Sequence, residues 1–154
     1  MKTTWIVAAD ASRARIFEMH GRAEGLHEIE SFVHPASREH DRDLVSDAHG
    51  RFQRSDEAGQ SASERIDASE HEAALFSKTL SAHLEQARNA HRYDQLRLIA
   101  APKFLGLLRQ NLSKAAQKLI EKETSKNLSW FDSNDIESFI RTQKADEPTL
   151  GRTP

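Results

Sequence analysis

The sequence predicts a single α/β domain in which helices pack on a mixed β-sheet. The strongest indication is residues 96–101, a short apolar run that Pro102 ends and that apolar residues at helical spacing follow at once. A strand that leads through Pro into a helix is a building unit of an α/β layer. Two further observations support this class: an N-terminal segment that alternates strands with turns, and a long amphipathic helical pattern after it.

The N-terminal segment predicts three strands, over residues 4–9, 14–19 and 26–33. Asp10 and the next three residues have turn chemistry, and Gly residues bound the second turn. Because short turns join consecutive strands, we expect an antiparallel meander. Asp10, at the end of the first strand, has two interpretations: a residue that caps the turn, which we favour, or a base or metal ligand.

The next ordered element is a helix over residues 67–92. Asp67, with Glu70 three residues later, resembles a capping box at its start. Its apolar residues recur at intervals of three and four, which predicts one buried stripe: Ala73, Phe76, Leu80, Leu84 and Ala87.

After the strand at 96–101, the pattern predicts a helix over residues 103–112 and a short helix capped by Ser113. Residues 120–128 favour a strand, with a helix as the competing interpretation. A last helix is predicted to begin at Asp132 or Ser133. The domain then covers residues 1–143, and the polar residues 144–154, with two Pro, are predicted to form a flexible tail.

Residues 35–65 break this pattern and predict a long polar loop. The segment has only three large apolar residues, and it carries five Arg against seven acidic residues. A loop of this length in a compact domain is usually either functional or disordered, and the sequence leaves both interpretations open. Within it, Arg51, Phe52 and Arg54 form a basic-aromatic cluster that could hold phosphates and stack on a base, although the nearby acids oppose this.

Composition excludes several classes of function. The net charge of −2 argues against a generally basic nucleic-acid binder, and the absence of Cys excludes disulfides, thiolate nucleophiles and Cys-based zinc sites. The His residues lack metal-binding spacing, so we expect no metal and no cofactor. The sequence has neither a membrane-spanning run nor the apolar core of a signal peptide, so we expect a cytoplasmic protein without membrane insertion. No motif indicates an oligomeric state.

A second candidate binding segment spans residues 103–126, which contain two acidic residues and six basic ones: Lys103, Arg109, Lys114, Lys118, Lys122 and Lys126. Three of these Lys are four residues apart and would share one face of a continuing helix. The segment is either an ordinary solvated face or a surface for RNA or another anionic partner.

Several segments resemble one bacterial family, the proteins required for attachment to host cells. The matching residues are 5–17, 49–52, 58–60, 98–109 and 123–128, with Leu105-Gly106-Leu107-Leu108-Arg109 after the Pro as the most specific part. The likeness covers residues 3–141. That family is similar to the middle domain of archaeo-eukaryotic peptide-chain release factors, so the resemblance implies that domain's ribonuclease-H-like layer.

Release factors of that type carry Gly-Gly-Gln on a long loop, where Gln helps to position water for peptidyl-tRNA hydrolysis. Here the corresponding residues are Ala58, Gly59 and Gln60, so Ala replaces the first Gly. Ala resists a positive φ, which Gly adopts freely. The resemblance therefore leaves Gln60 as a weak catalytic candidate.

These observations support three hypotheses on function. The first is a non-catalytic protein of release-factor ancestry that associates with the ribosome, tRNA or other RNA and affects attachment indirectly. The second is a peptidyl-tRNA hydrolase that uses Gln60. The third is a host-attachment or regulatory factor that acts through protein partners.

Overall fold

The computed structural model describes residues 2–21, 24–34 and 55–151, with side chains described for 2–21, 24–34 and 68–143. The elements of these ranges follow in chain order: β1 (Thr3–Ala9), β2 (Arg13–His20), β3 (His27–Val33), α1 (Ser55–Asn89), β4 (Gln95–Ala100), α2 (Pro102–Asn111), α3 (Lys114–Lys118), β5 (Ile120–Ser125) and α4 (Ser133–Gly151).

The strands form one sheet in the order β3-β2-β1-β4-β5. β1, β2 and β3 pair antiparallel, as the predicted meander requires, whereas β4 and β5 pair parallel. β1 and β4 are also parallel, with Thr4 opposite Gln95 and Ala9 opposite Ala100. The mixed α/β sheet is therefore confirmed. Since β1, β3, β4 and β5 run in the same direction, they all end at one edge, called the carboxyl edge below.

The larger core lies between one face of the sheet and helices α1, α2 and α3. The predicted apolar stripe of α1 packs here, and Phe76, Leu80 and Leu84 are almost completely buried. α2 contributes Phe104 and Leu108 to the same core. Burial of each such side chain stabilises the fold by about 1.5–3 kcal/mol, so the stripe explains why α1 packs in this orientation.

The opposite face of the sheet has a smaller core. Ile6, Phe17 and Ile99 of the sheet pack against Ile136 and Ile140 of α4. Ile136 and Ile140 are four residues apart, so they lie on one side of the helix and face the sheet together.

Two predicted boundaries need correction. α1 begins at Ser55 and not at Asp67, so residues 55–65 are helical where a loop was expected, and residues 35–54 lie outside the described part of the chain. The first turns of α1 are rich in Ala, Glu and Gln, which favour helix, and acidic residues near a helix start interact favourably with its dipole. α4 continues to Gly151, beyond residue 143, where the sequence places the start of a tail.

Other local predictions are confirmed. Residues 120–125 form a strand, which decides between the two interpretations of this segment. The Ser113 hydroxyl accepts a hydrogen bond from the Ala116 backbone N–H, so it caps α3 as expected. The Asp132 carboxylate accepts a hydrogen bond from the backbone N–H of Asp135 at the start of α4. Within the described ranges, no helix has the length and apolar character that crossing a membrane requires.

Candidate functional site at the carboxyl edge

The loop between β5 and α4, residues 126–132, exposes two adjacent aromatic rings at the carboxyl edge. Trp130 is 54% exposed and Phe131 is 48% exposed. Burial of a Trp or Phe ring is strongly favourable, and a ring that remains in water does not gain this stabilisation. Two neighbouring exposed rings on a short loop therefore mark a candidate binding surface.

Asp10 holds this loop from the end of β1. One carboxylate oxygen accepts hydrogen bonds from the Trp130 Nε1–H (2.6 Å) and the Ser129 hydroxyl (2.8 Å). The other accepts from the backbone N–H groups of Ser12 and Arg13, both at 2.9 Å, so the favoured interpretation of Asp10 as a turn cap is confirmed. Burial raises the pKa of Asp10, but the hydrogen bonds from Ser12, Ser129 and Trp130 outweigh burial and leave the pKa below its ordinary value.

Arg15 of β2 also forms hydrogen bonds with this loop, and its side chain is only 6% exposed. Its guanidinium donates to both carboxylate oxygens of Glu28, at 3.0 and 2.8 Å, and to the backbone carbonyls of Ser129 and Phe131. The hydrogen bond from Arg15 is the largest of the effects that keep the pKa of Glu28 below its ordinary value. The β1–β2 hairpin thus fixes the loop at two charged positions.

Two cations lie on aromatic rings of this region. The Arg13 guanidinium carbon is 4.7 Å from the Trp130 ring centroid, and Lys126 Nζ is 5.0 Å from that of Phe139 in α4. Neither cation forms a salt bridge with any residue whose side chain is described. The aromatic–cation surface is defined here as Arg13, Lys126 and the rings of Trp130, Phe131 and Phe139.

A cleft of about 690 Å³ opens at the same edge, on the other side of Asp10. Helices α1 and α2 form its walls and the β1–β2 turn its floor, with a largely apolar lining: Asp10, Ala11, Ser12, Ser69, Glu70, Ala73, Ala101, Lys103, Phe104 and Leu107. Lys103, in the first turn of α2, is 90% exposed and lies 3.4 Å from the Glu70 carboxylate. Of the predicted basic residues, Lys103 and Lys126 therefore both lie at the carboxyl edge.

The other predicted basic residues do not join this surface. Arg109 forms a two-pronged pair with Glu123, at 3.0 and 2.6 Å, which neutralises it. Lys114 and Lys118 lie on α3, which precedes β5 and therefore sits at the opposite edge of the sheet. Lys122 is in β5, so the expected helix face shared by three Lys is wrong: the helix ends at Lys118 because residues 120–125 pair with β4.

The predicted loop candidates have two outcomes. Arg51, Phe52 and Arg54 lie outside the described residues. Gly59 and Gln60 lie on helical backbone in α1, about 14 Å along the helix axis from Ser69 of the cleft. Helical backbone accepts Ala more readily than Gly, so Ala at position 58 is compatible with the backbone that this segment adopts.

Sequence reasoning missed Trp130, whose ring belongs to the aromatic–cation surface, and Arg15, which supports the loop that carries this ring. A charged residue at an inward position of an otherwise apolar strand was the available signal for Arg15.

Among the described side chains, no three His, Asp or Glu residues approach closely enough to hold a metal ion.

Comparison with known proteins identifies one family. The family model described as "Protein required for attachment to host cells" matches residues 5–140, from β1 into α4. A search of curated proteins gave no match to this chain. Because the match spans most of the chain and includes the whole carboxyl edge, this chain belongs to the family of proteins required for attachment to host cells.

Proposed function

We propose that this protein is a non-catalytic, cytoplasmic binding protein that associates with RNA, in particular with the ribosome. The observation that carries the proposal is the aromatic–cation surface, where two exposed rings share one edge with two cations that form no salt bridge to a described side chain. Aromatic rings stack on bases, and Arg and Lys bind phosphates. The combination suits RNA better than it suits a neutral small molecule.

The state of the acidic and imidazole side chains supports a binding role over catalysis. Asp10 already accepts hydrogen bonds from both the turn and the 126–132 loop. His34 contacts Glu72 at 2.7 Å, and His83 contacts Glu30 at 2.8 Å, so both His residues link the β3 side of the sheet to α1. Groups committed to the fold in this way are poorly placed to exchange protons with a substrate.

The course of α1 adds support for a contact with a large RNA. Residues 55–68 precede the part of α1 that lines the cleft and extend it by about 20 Å of helix axis. This extension carries Gly59 and Gln60, which resemble the last two residues of the release-factor Gly-Gly-Gln motif. We propose release-factor ancestry on this basis, with residues 58–60 at or near the RNA. An RNA-bound protein of this kind would influence attachment to host cells indirectly, through translation.

A protein partner is the second candidate, and one observation favours it. Beside Phe131 lies a groove of about 640 Å³ lined by Lys126, Asn127, Leu128, Phe131, Asp135 and Phe139. Trp, Phe and Arg are common in the centres of protein interfaces, and the groove has charges of both signs. Such a partner would connect the family's role in attachment to direct protein contact.

Ribosome co-sedimentation at low and high salt tests the first proposal. Two double variants remove the same charge from opposite edges of the sheet: Arg13→Ala with Lys126→Ala, and Lys114→Ala with Lys118→Ala as the control. We expect the first pair to abolish binding and the second to leave it nearly intact. Binding of the wild type should weaken with salt, because phosphate contacts release counterions.

Four results would redirect the interpretation. Absence of co-sedimentation at low salt would refute ribosome association. Equal losses in the two double variants would remove the aromatic–cation surface from the proposal. A partner that stays bound after nuclease treatment and is lost in the Arg13/Lys126 variant would favour the protein candidate. Peptide release that disappears in Gln60→Ala would establish the hydrolase alternative instead.

A further inference from the structure

We infer that the aromatic–cation surface is a subsite for an unpaired nucleotide of single-stranded RNA, with its base stacked on Trp130 and its phosphates at Arg13 and Lys126. This inference rests on the proposed association with RNA and assigns that contact to particular residues.

The Trp130 ring is oriented before any ligand arrives. Its Nε1–H donates to Asp10 at 2.6 Å, and the Arg13 guanidinium lies 4.7 Å from the ring centroid. Even so, 54% of the residue remains exposed. A ring that is already held loses little conformational entropy when a flat ligand stacks on it. The Arg13 guanidinium lies over one face of the ring, and its N–H groups can still donate to a phosphate.

The balance of engaged charges favours an anionic ligand. The carboxylates of Asp10 and Asp132 accept hydrogen bonds from N–H or O–H donors of the turn, the loop and α4. Arg13 and Lys126, in contrast, contact rings and form no salt bridge with the described side chains. Nearby anions are therefore partly compensated by the protein. Arg13 is also attracted by the Glu28 carboxylate, whose pKa it helps to lower, so Lys126 is the cation more fully left to a phosphate.

The arrangement selects unpaired bases over duplex. Bases inside a duplex stack on each other and cannot cover a protruding side chain unless they leave the helix, whereas single strands offer free base faces. Phe131, the next residue of the loop, exposes a second ring, and its backbone carbonyl is held by the buried Arg15.

Fluorescence of the two Trp residues gives a direct test. Trp5 is completely buried and Trp130 is exposed, so only Trp130 can be quenched by a stacked base. We expect a short oligouridylate to quench part of the emission, and the same length of RNA duplex to do so much less. Trp130→Ala should weaken oligouridylate binding, measured by a label on the RNA, by roughly 5- to 150-fold, the usual effect of losing one stacked base.

Matched variants make the test specific. Trp130→Phe retains a ring and should recover most of the affinity that Trp130→Ala loses. Leu75→Ala removes another exposed apolar side chain, on α1, and should leave binding unchanged. Lys126→Gln should reduce the slope of log affinity against log salt concentration by about one, because one phosphate contact is lost. This readout does not depend on whether the Trp130 variants fold.

The outcomes separate this inference from the proposed function. If Trp130→Ala and Lys126→Gln bind oligouridylate as tightly as the wild type while ribosome co-sedimentation persists, the subsite is refuted and the association with RNA stands. If the wild type binds neither oligouridylate nor ribosomes, both are refuted. If it binds duplex as tightly as single strands, base stacking on Trp130 is refuted.

Discussion

Replacing Asp10 with Ala should lower the free energy of unfolding by about 2–4 kcal/mol. Its carboxylate accepts hydrogen bonds from the backbone N–H groups of Ser12 and Arg13 and from the side chains of Ser129 and Trp130. A hydrogen bond to a charged group contributes about 1.5–3 kcal/mol. Trp130 is half-exposed and its N–H can bond to water instead, and Ser129 retains Asn127 as a partner at 2.8 Å. The loss of the two turn bonds therefore dominates. Two such bonds would contribute about 3–6 kcal/mol, and the partial exposure of Ser12 and Arg13, whose N–H groups can bond to water in the variant, lowers the expected loss to about 2–4 kcal/mol.

The Asp10→Asn variant separates the turn from the loop. An Asn oxygen can still accept from the N–H groups of Ser12 and Arg13, because Asn forms the same kind of turn. Its NH₂ group, however, would face the donors of Ser129 and Trp130. We expect a loss of about 1–2 kcal/mol, smaller than in Asp10→Ala, since only the loop bonds are removed.

Urea unfolding monitored by circular dichroism measures both variants, with Glu24→Gln, an exposed acid outside the helices and strands, as the control. The midpoint should fall without a change of slope if the native state alone is affected. The difference in free energy of unfolding between the wild type and Asp10→Asn should also shrink in acid. Because the folded pKa of Asp10 is lowered, the stabilisation by its carboxylate is complete above the ordinary value of 3.8 and is lost as pH falls through the lowered pKa. A loss below about 0.5 kcal/mol in Asp10→Ala, or equal losses in both variants, would refute this account.

Three further predictions concern the rest of the fold. Arg15→Met should cost about 2–4 kcal/mol in urea unfolding, because it removes the donor to the Ser129 and Phe131 carbonyls and leaves the Glu28 carboxylate with only a 3.5 Å hydrogen bond from Ser133. Arg109→Met breaks a more exposed pair and should hardly move the midpoint. Burial raises the pKa of Tyr93, the only Tyr, to about 12, so ultraviolet absorbance should show phenolate forming with a midpoint near pH 12. The free energy of unfolding should fall between about pH 10 and 12, because the Tyr of the unfolded state ionises first. Leu108→Ala should cost about 2–5 kcal/mol by creating a cavity, and Leu75→Ala, at an exposed site, should be near neutral in the same measurement.

Much of the fold could be predicted from local patterns. The apolar run before Pro102 and the stripe from Phe76 to Leu84 predicted β4 and α1, because burial of one face imposes its period on the sequence. The start of α1 was missed because residues 55–66 contain few apolar residues, so no hydrophobic period marks a helix in this part of the sequence. The strand at 120–125 could be decided only by its pairing with β4.

The candidate site was less accessible because its contacts join distant parts of the chain. Asp10 was assigned to a turn from local chemistry, but its bond to Ser129 spans 119 residues. Likewise, counting charges over residues 103–126 suggested one basic surface, whereas the turn from α3 into β5 places Lys118 and Lys126 at opposite edges. Sequence spacing does not report which edge of a sheet a residue reaches.

The pairing of β1 with β4 has a consequence for how the chain acquires its structure during synthesis. The meander of β1, β2 and β3 leaves the ribosome well before β4, whose partner positions in β1 lie about ninety residues earlier. Until β4 emerges, one side of β1 has no neighbouring strand, and the apolar residues on both faces of the hairpin lack their covering helices. At typical elongation rates of about 5–20 residues per second, the nascent chain therefore exposes an unpaired strand edge and uncovered apolar residues for several seconds. A chaperone would be most useful during this interval.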